Sequence, residues 1–393
     1  MVLVASAPET RRGPQALTLA RAFYACYYGA NACLMPFLAV YYSELGFSGG
    51  QIGVLRGVAP VVTLLAAPLW SAVADVTRRH RLLWLLAIAG TWAAALALAS
   101  TSSYALLIVI VTAHAFAGAP VMPLADSTVI GLLGARTDLY GTQRLWGAIG
   151  WGLSGLVIGF VTERFGLTWS FVGYLLLMAS GGIMVAALPK PVLTLKARGN
   201  YGEDVHRLLS NPGWLAFLVS SLLGGLYLTI EVNFLMLYMA SLGAGESLMG
   251  IALVVSTLGE LPIWALAPYL LRRLGPRGLL AVALLSGAVQ GMAFSLATTP
   301  WMILPIQLLH GLAFSAAWAA GVAYVARTAP KGTQATAQGL FSGIMMGLAA
   351  AIGAIVGGQL FDRVGGAMTF RLAALMPLAA LALLWLGTRR RLG

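Results

Sequence analysis

The chain has 393 residues, 60% of them hydrophobic and only 9% charged, with a mean hydropathy of +0.87. Water-soluble domains carry about 25% charged residues, so this composition excludes a soluble globular protein and describes a chain that crosses a bilayer repeatedly. At ~20 residues per span plus a loop, the length accommodates about twelve spans. The net charge of +12 suits a nucleic-acid binder only until the charges are placed.

Charged residues punctuate the apolar stretches and predict twelve helices. In the first half they run over 17–43, 49–74, 82–100, 104–133, 140–162 and 167–188. In the second they run over 213–241, 247–271, 277–297, 301–327, 333–360 and 367–387. The polar segment before them, with Arg11 and Arg12, shows no cleavable signal, so the first helix is expected to direct insertion. That helix carries a polar stripe of Arg21, Tyr27, Tyr28 and Asn31. Tyr28 and Asn31, three apart, share a face and are expected to line a cavity. Cys26 and Cys33 are separated by a rise of ~10.5 Å, too far for a disulfide, and read as buried thiols.

After the second helix, Asp75 precedes a tight basic turn with Arg78 and Arg79. An acid at a helix end beside such a turn can form a latch that holds one state of a rocking protein, or the turn is ordinary positive-inside anchoring. Asp126, near the end of the fourth helix, and Arg144, early in the fifth, point back into the bilayer at comparable depth. They are expected to pair or to engage a polar substrate. A charge at the bilayer centre costs roughly 2.5–3.5 kcal/mol on insertion scales, which makes each one a functional candidate. Trp151, seven residues after Arg144, offers an indole platform on the same face. Gly150 to Gly155 match a dinucleotide-binding pattern but follow no strand, so they read as helix packing.

Residues 189–212 are the longest polar stretch and divide the chain into six-helix halves, 1–188 and 213–393. The halves echo each other: Glu163-Arg164-Phe165-Gly166 closes the fifth helix and Asp362-Arg363-Val364-Gly365 the eleventh. Weak symmetry of this kind points to a secondary transporter with a midplane site. In the second half, Glu231 and Glu260 have no basic residue nearby in sequence. An apolar site disfavours an ionised carboxylate, so each can hold a proton near neutral pH. His310 lies mid-helix, one turn after Gln307, as a proton or substrate contact or a buried neutral histidine.

Eighteen of the 24 lysines and arginines then fall on one side of the membrane, which places both termini in the cytoplasm. Within the bilayer, Arg21, Arg56 and Arg144 balance Asp126, Glu231 and Glu260. The excess charge is a topology signal, and no nucleic-acid partner is expected. No zinc-protease or ATP-binding motif occurs, and neither a metal nor a cofactor is expected.

The loop from Ser71 to Arg81 resembles the major facilitator signature, with Asp75 in its acid position and Ser71 and Val76 departing from it. Four further stretches resemble the lactose permease-like, nucleoside and phenylpropionate proton-symporter branch of that superfamily. They are Gly141 to Gly147 through Trp151, Gly259-Glu260-Leu261-Pro262, Gln307 to Gly311, and Pro36-Phe37 through Gln51-Ile52-Gly53. The resemblance implies an all-α integral membrane fold of twelve helices in two pseudo-symmetric halves. It implies that Arg144 and Glu260 contact substrate from opposite halves, that Trp151 stacks on it, and that Asp126 serves as a binding acid. Gln307, Gln290 and Ala313 stand where the permease has a lysine, an arginine and its proton-carrying glutamate. Any proton route must then differ, through Glu231, Glu260 and His310.

The expectation is a monomeric, multi-pass plasma (inner) membrane protein that is not an enzyme. It would be a proton symporter of a small polar organic solute: a sugar or glycoside, a nucleoside or an aromatic acid. Arg144, Glu260, Trp151, Asp126, His310, Gln307, Tyr28 and Asn31 would bind solute. A proton-driven efflux antiporter and a non-transporting receptor or scaffold are the alternatives.

Overall fold

The computed structural model describes residues 13–134, 136, 139–188, 201–330 and 333–389. Among these the chain is helical, with no strand. The first helix is split: α1 (Gly13–Leu34) gives way at Pro36, and α2 (Leu38–Glu44) continues. Ser48 and Gln51 form a capping box that starts α3 (Gly49–Thr77). Next come α4 (His80–Ala99), α5 (Tyr104–Gly118) and, past Pro120, α6 (Val121–Leu133). The first half ends with α7 (Tyr140–Phe165) and α8 (Trp169–Ala187). Of the predicted linker, 189–200 lie outside the described residues; α9 (Tyr201–Leu209) follows.

The second half opens with α10 (Pro212–Ser241), N-capped by Asn211, and α11 (Glu246–Ser295). After a 3-10 turn at Pro300–Met302 come α12 (Ile303–Thr328) and α13 (Gln334–Ser342). A π turn (Gly343–Leu348), α14 (Ala349–Ala373) and α15 (Leu375–Arg389) complete it. Among the described residues ten stretches are long and apolar enough to cross a membrane, two of them 50 residues long. A continuous 50-residue helix would span ~75 Å, more than twice a hydrocarbon core. Each long stretch is broken by one glycine in the left-handed region, Gly275 (φ 69°) followed by Pro276 and Gly365 (φ 75°). Both fall in gaps between predicted helices. Large apolar side chains turn outward, Leu65 at 66% exposure and Ile183 at 72%, as lipid requires and water does not.

Within the first half α1 packs on α7 and α8, and α4 on α5 and α8; within the second α11 packs on α12, and α10 on α14 and α15. The halves meet along two crossings, α3 with α14 and α7 with α11, toward the end remote from the termini. Glycines set the distance of approach. A Cβ on Gly53 would lie 2.5 Å from the Ala354 carbonyl oxygen, and one on Gly159 2.6 Å from that of Glu246. Small residues let backbones touch where lipid supplies no hydrophobic drive.

The two echoing tetrapeptides seal these crossings. Asp362 accepts hydrogen bonds from the backbone N–H of Gly49 (2.5 Å) and Gly50 (2.7 Å), at the start of α3. Glu163 accepts one from Ser247 N–H (2.7 Å), at the start of α11. Each half thus caps a helix of the other with a carboxylate, placed where the helix dipole favours negative charge.

Asp362→Ala is expected to remove about 0.5–2 kcal/mol of capping and so to favour separation of this end by roughly two- to thirtyfold. Distances between spin labels at positions 44 and 241, in a chain lacking Cys26 and Cys33, would lengthen; an unchanged distribution would contradict the capping role.

Candidate substrate and proton site

Two polar clusters stand out, one in each half. The first is built on α1, α6 and α7. Gly147 and Gly150 bring α7 against α1: a Cβ on Gly147 would lie 2.6 Å from the Tyr28 ring, and one on Gly150 would overlap the Ala25 carbonyl. This approach sets the Arg144 guanidinium 4.4 Å from the Tyr28 ring centroid and 5.6 Å from that of Tyr24. Such cation–π contacts stabilise a partly desolvated guanidinium by about 0.5–2 kcal/mol.

Asp126 does not form the expected ion pair with Arg144. No carboxylate lies within 4.0 Å of Arg144 among the described residues, where the ion pairs are those of His310. Asp126 accepts a hydrogen bond from Tyr24 O–H (2.7 Å), and Tyr140 faces the same carboxylate. The phenols stand between acid and base. Tyr24 lies four residues before Tyr28, one turn along the same stripe, but its role shows only when α6 is placed beside it. Asn31 is half-buried and donates to the Tyr27 carbonyl (2.7 Å). Trp151 is half-buried, packed against the cluster around Phe37, Met249 and Leu253. Arg21 donates to Gln143 (2.7 Å).

The second cluster joins residues far apart in sequence. His310 Nδ1 lies 2.7 Å from Glu231 Oε2, and its Nε2 lies 3.8 Å from Glu260 Oε1. Glycine again fixes the geometry: a Cβ on Gly311 would overlap the Gly259 carbonyl, so α11 and α12 touch beside Glu260 and His310. Exposure is graded, with the Glu260 side chain 23% exposed, His310 11% and Glu231 1%. Trp264, one turn beyond Glu260, is hydrogen-bonded to it.

Behind Glu231 a neutral chain continues. Gln290 Nε2 lies 3.5 Å from Glu231 Oε1 and donates to Gln307 Oε1 (3.3 Å), while Tyr227 O–H donates to Gln290 Oε1 (3.0 Å). Gln307 is 3% exposed, turned into this chain rather than toward the other half. The two glutamines that replace basic residues of the permease pattern therefore touch each other. A further polar link between the halves is Arg56, whose Nε donates to Asn233 Oδ1 (2.5 Å).

The expected latch lies apart from both clusters. Arg78 is the left-handed C-cap of α3 (φ 53°), and both Arg78 and Arg79 are exposed. The Asp75 side chain is outside the described residues. His114 faces Tyr174 O–H at 3.0 Å, as packing inside the first half. No group of metal-binding side chains occurs among the described residues.

An all-helical membrane fold of two contacting helix bundles, each holding embedded charged residues, is the architecture of a secondary transporter. The profile of the MFS_1 like family matches residues 17–372, and the chain belongs to this family of major facilitator transporters. It is 28% identical to the maltose permease of Geobacillus stearothermophilus over 87% of this chain and 86% of that one. It is 24% identical to a probable 3-phenylpropionic acid transporter of Escherichia coli (92% and 95%). A crystal structure of the nucleoside transporter NupG, a D323A mutant, shares the fold with TM-score 0.86 at 18% identity, covering 95% of this chain and 99% of that one. The protein is a multi-pass membrane transporter with a small-molecule substrate.

Gly311→Ala is expected to force α11 and α12 apart, at about 1–3 kcal/mol for overpacking. Gly152→Ala is its control, because a Cβ there meets Thr257 at an ordinary 3.6 Å. Thermal unfolding in detergent would show the first variant clearly destabilised and the second near wild type.

Proposed function

We propose that this protein is a proton-coupled symporter of a small polar organic solute, working by alternating access. The observation that carries this reading is the line Glu260–His310–Glu231, graded from open to sealed. A proton taken up at Glu260 needs only a small imidazole rotation to close the 3.8 Å gap, because hydrogen bonds form near 2.7–3.2 Å. His310 then passes charge toward Glu231, which the Gln290 side chain supports from behind. Across from it, Arg144 on its tyrosine shelf supplies a charged donor for the solute. Asp126, Tyr28, Asn31 and Trp151 line that wall, with Glu260 reaching from the other half. Gln307 and His310 tie solute recognition to the proton line.

Sugars or glycosides, nucleosides and aromatic acids are the solute classes in view. The names of the similar proteins, a maltose permease, a probable 3-phenylpropionic acid transporter and a nucleoside transporter, support that range. The halves 1–188 and 213–393 rock about the linker 189–212, with each 50-residue stretch crossing twice and twelve crossings in all. The protein acts as a monomer in the plasma membrane, with both termini cytoplasmic. In that orientation the carboxylate-capped end faces outward, and the conformation is closed to the outside. Asp75, Arg78 and Arg79 form the latch of the opposite state. Loading proton and solute together lowers the cost of passing between the two, which is what coupling requires.

In proteoliposomes, Glu260→Gln is expected to abolish accumulation driven by a proton gradient while leaving solute counterflow measurable. Gradient-driven accumulation that survives would exclude Glu260 from coupling. Arg144→Ala is expected to raise the KM for solute at least tenfold, about 1.4 kcal/mol of binding; an unchanged KM would remove it from the site.

A further inference from the structure

Arg56 is a membrane-embedded charge that the proposed mechanism does not use. It stands two turns into α3, and its partners are neutral. Its Nε donates to Asn233 Oδ1, and its Nη1 lies 3.6 Å from the Met35 sulfur. The Asn233 amide nitrogen donates to the Thr229 carbonyl (2.9 Å). Among the described residues no carboxylate comes within 4.0 Å of Arg56. The embedded acids are engaged elsewhere: Asp126 by Tyr24, Glu231 by His310, and Glu260 beside His310 and Trp264.

The Tyr42 hydroxyl, on α2, lies near enough to Arg56 for the two to interact electrostatically. The residue is 1% exposed and its oxygen has no hydrogen-bond partner. A buried hydroxyl left unmatched next to an unneutralised guanidinium is a donor set without its acceptor. The guanidinium fork matches a carboxylate in two parallel hydrogen bonds, which a neutral amide cannot reproduce.

Position strengthens the case. Tyr28 and Asn31 on α1, and Met35 just past its end with its N–H on the Asn31 carbonyl (2.8 Å), follow one another at helical spacing. Arg144 rests on the first and Arg56 touches the last. Seven residues of helix rise ~10.5 Å, so the two arginines bear on points two turns apart along this line.

We infer that Arg56, with the Tyr42 hydroxyl beside it, is the specificity-determining residue of the transport site and recognises a carboxylate of the solute, making that solute a small organic anion. This rests on the transport reading above and narrows it. A monocarboxylate entering with one proton crosses without net charge, so the membrane potential does not oppose its uptake.

The experiment uses the full chain in proteoliposomes and a graded set of aliphatic and aromatic monocarboxylates, each beside its uncharged amide, with methyl glucoside and uridine as neutral solutes. At least one carboxylate is expected to accumulate under an inward proton gradient, and its amide is not. Arg56→Gln should raise the KM for that carboxylate at least tenfold, with Arg56→Lys recovering part of the loss. Asn233→Asp places a carboxylate against Arg56; it should raise the KM equally while the melting temperature holds or rises. A purely structural Arg56 would leave the KM unmoved in Asn233→Asp, and that result overturns the inference. So does a set in which no carboxylate accumulates. Gradient-driven uptake of a neutral solute, insensitive to Arg56→Gln, overturns the inference and leaves proton coupling standing. Carboxylate uptake that ignores the proton gradient overturns coupling and leaves the inference standing.

Discussion

A formal charge in a hydrocarbon environment must be neutralised, hydrogen-bonded or put to use, and few are tolerated. The organisation of this transporter follows from that constraint. Its embedded charges are held by specific partners. Phenols shield Asp126 and Arg144, an imidazole separates Glu231 from Glu260, and an asparagine from the other half meets Arg56. The embedded arginines lie in the first half with Asp126, and Glu231, Glu260 and His310 lie in the second.

These groups meet because backbones touch. Gly147 and Gly150 let α7 reach α1, and Gly259 and Gly311 let α12 reach α11. Each contact sits within a few residues of a charged side chain it positions. The same device recurs at Gly53 and Gly159, where it joins the halves. Glycine density in these helices therefore reflects two tasks: holding each wall of the site rigid, and letting two rigid walls close on each other.

Much of this was legible in the sequence, and the omissions have physical reasons. Helix positions followed from hydropathy because lipid leaves the chain few options. Even the breaks inside the two 50-residue stretches fall in charged, glycine-containing gaps. The embedded charges stood out because the rest is so apolar. Pairing was harder to read. Asp126 and Arg144 have suitable depth and opposite sign, yet tyrosines from α1 intervene, and no spacing rule within α6 or α7 reveals a third helix. Glu231, Glu260 and His310 are grouped in the sequence as a proton route, but their order and contacts do not show there, because His310 is distant along the chain. The tetrapeptides at Glu163 and Asp362 were visible as an echo, but their carboxylates bind backbone amides, which have no sequence identity to notice.

That last contact has an evolutionary consequence. A carboxylate that binds main-chain N–H groups places no demand on the side chains opposite, provided they stay small. Compensating substitutions are not needed when the acid changes, so the two sides of the closure leave no trace of correlated variation. Methods that infer contacts from co-varying positions would pass over it. Its strength can be adjusted one residue at a time, through Glu163 or Asp362 alone, giving related transporters a simple means of tuning how readily this end opens while the charged site is left intact.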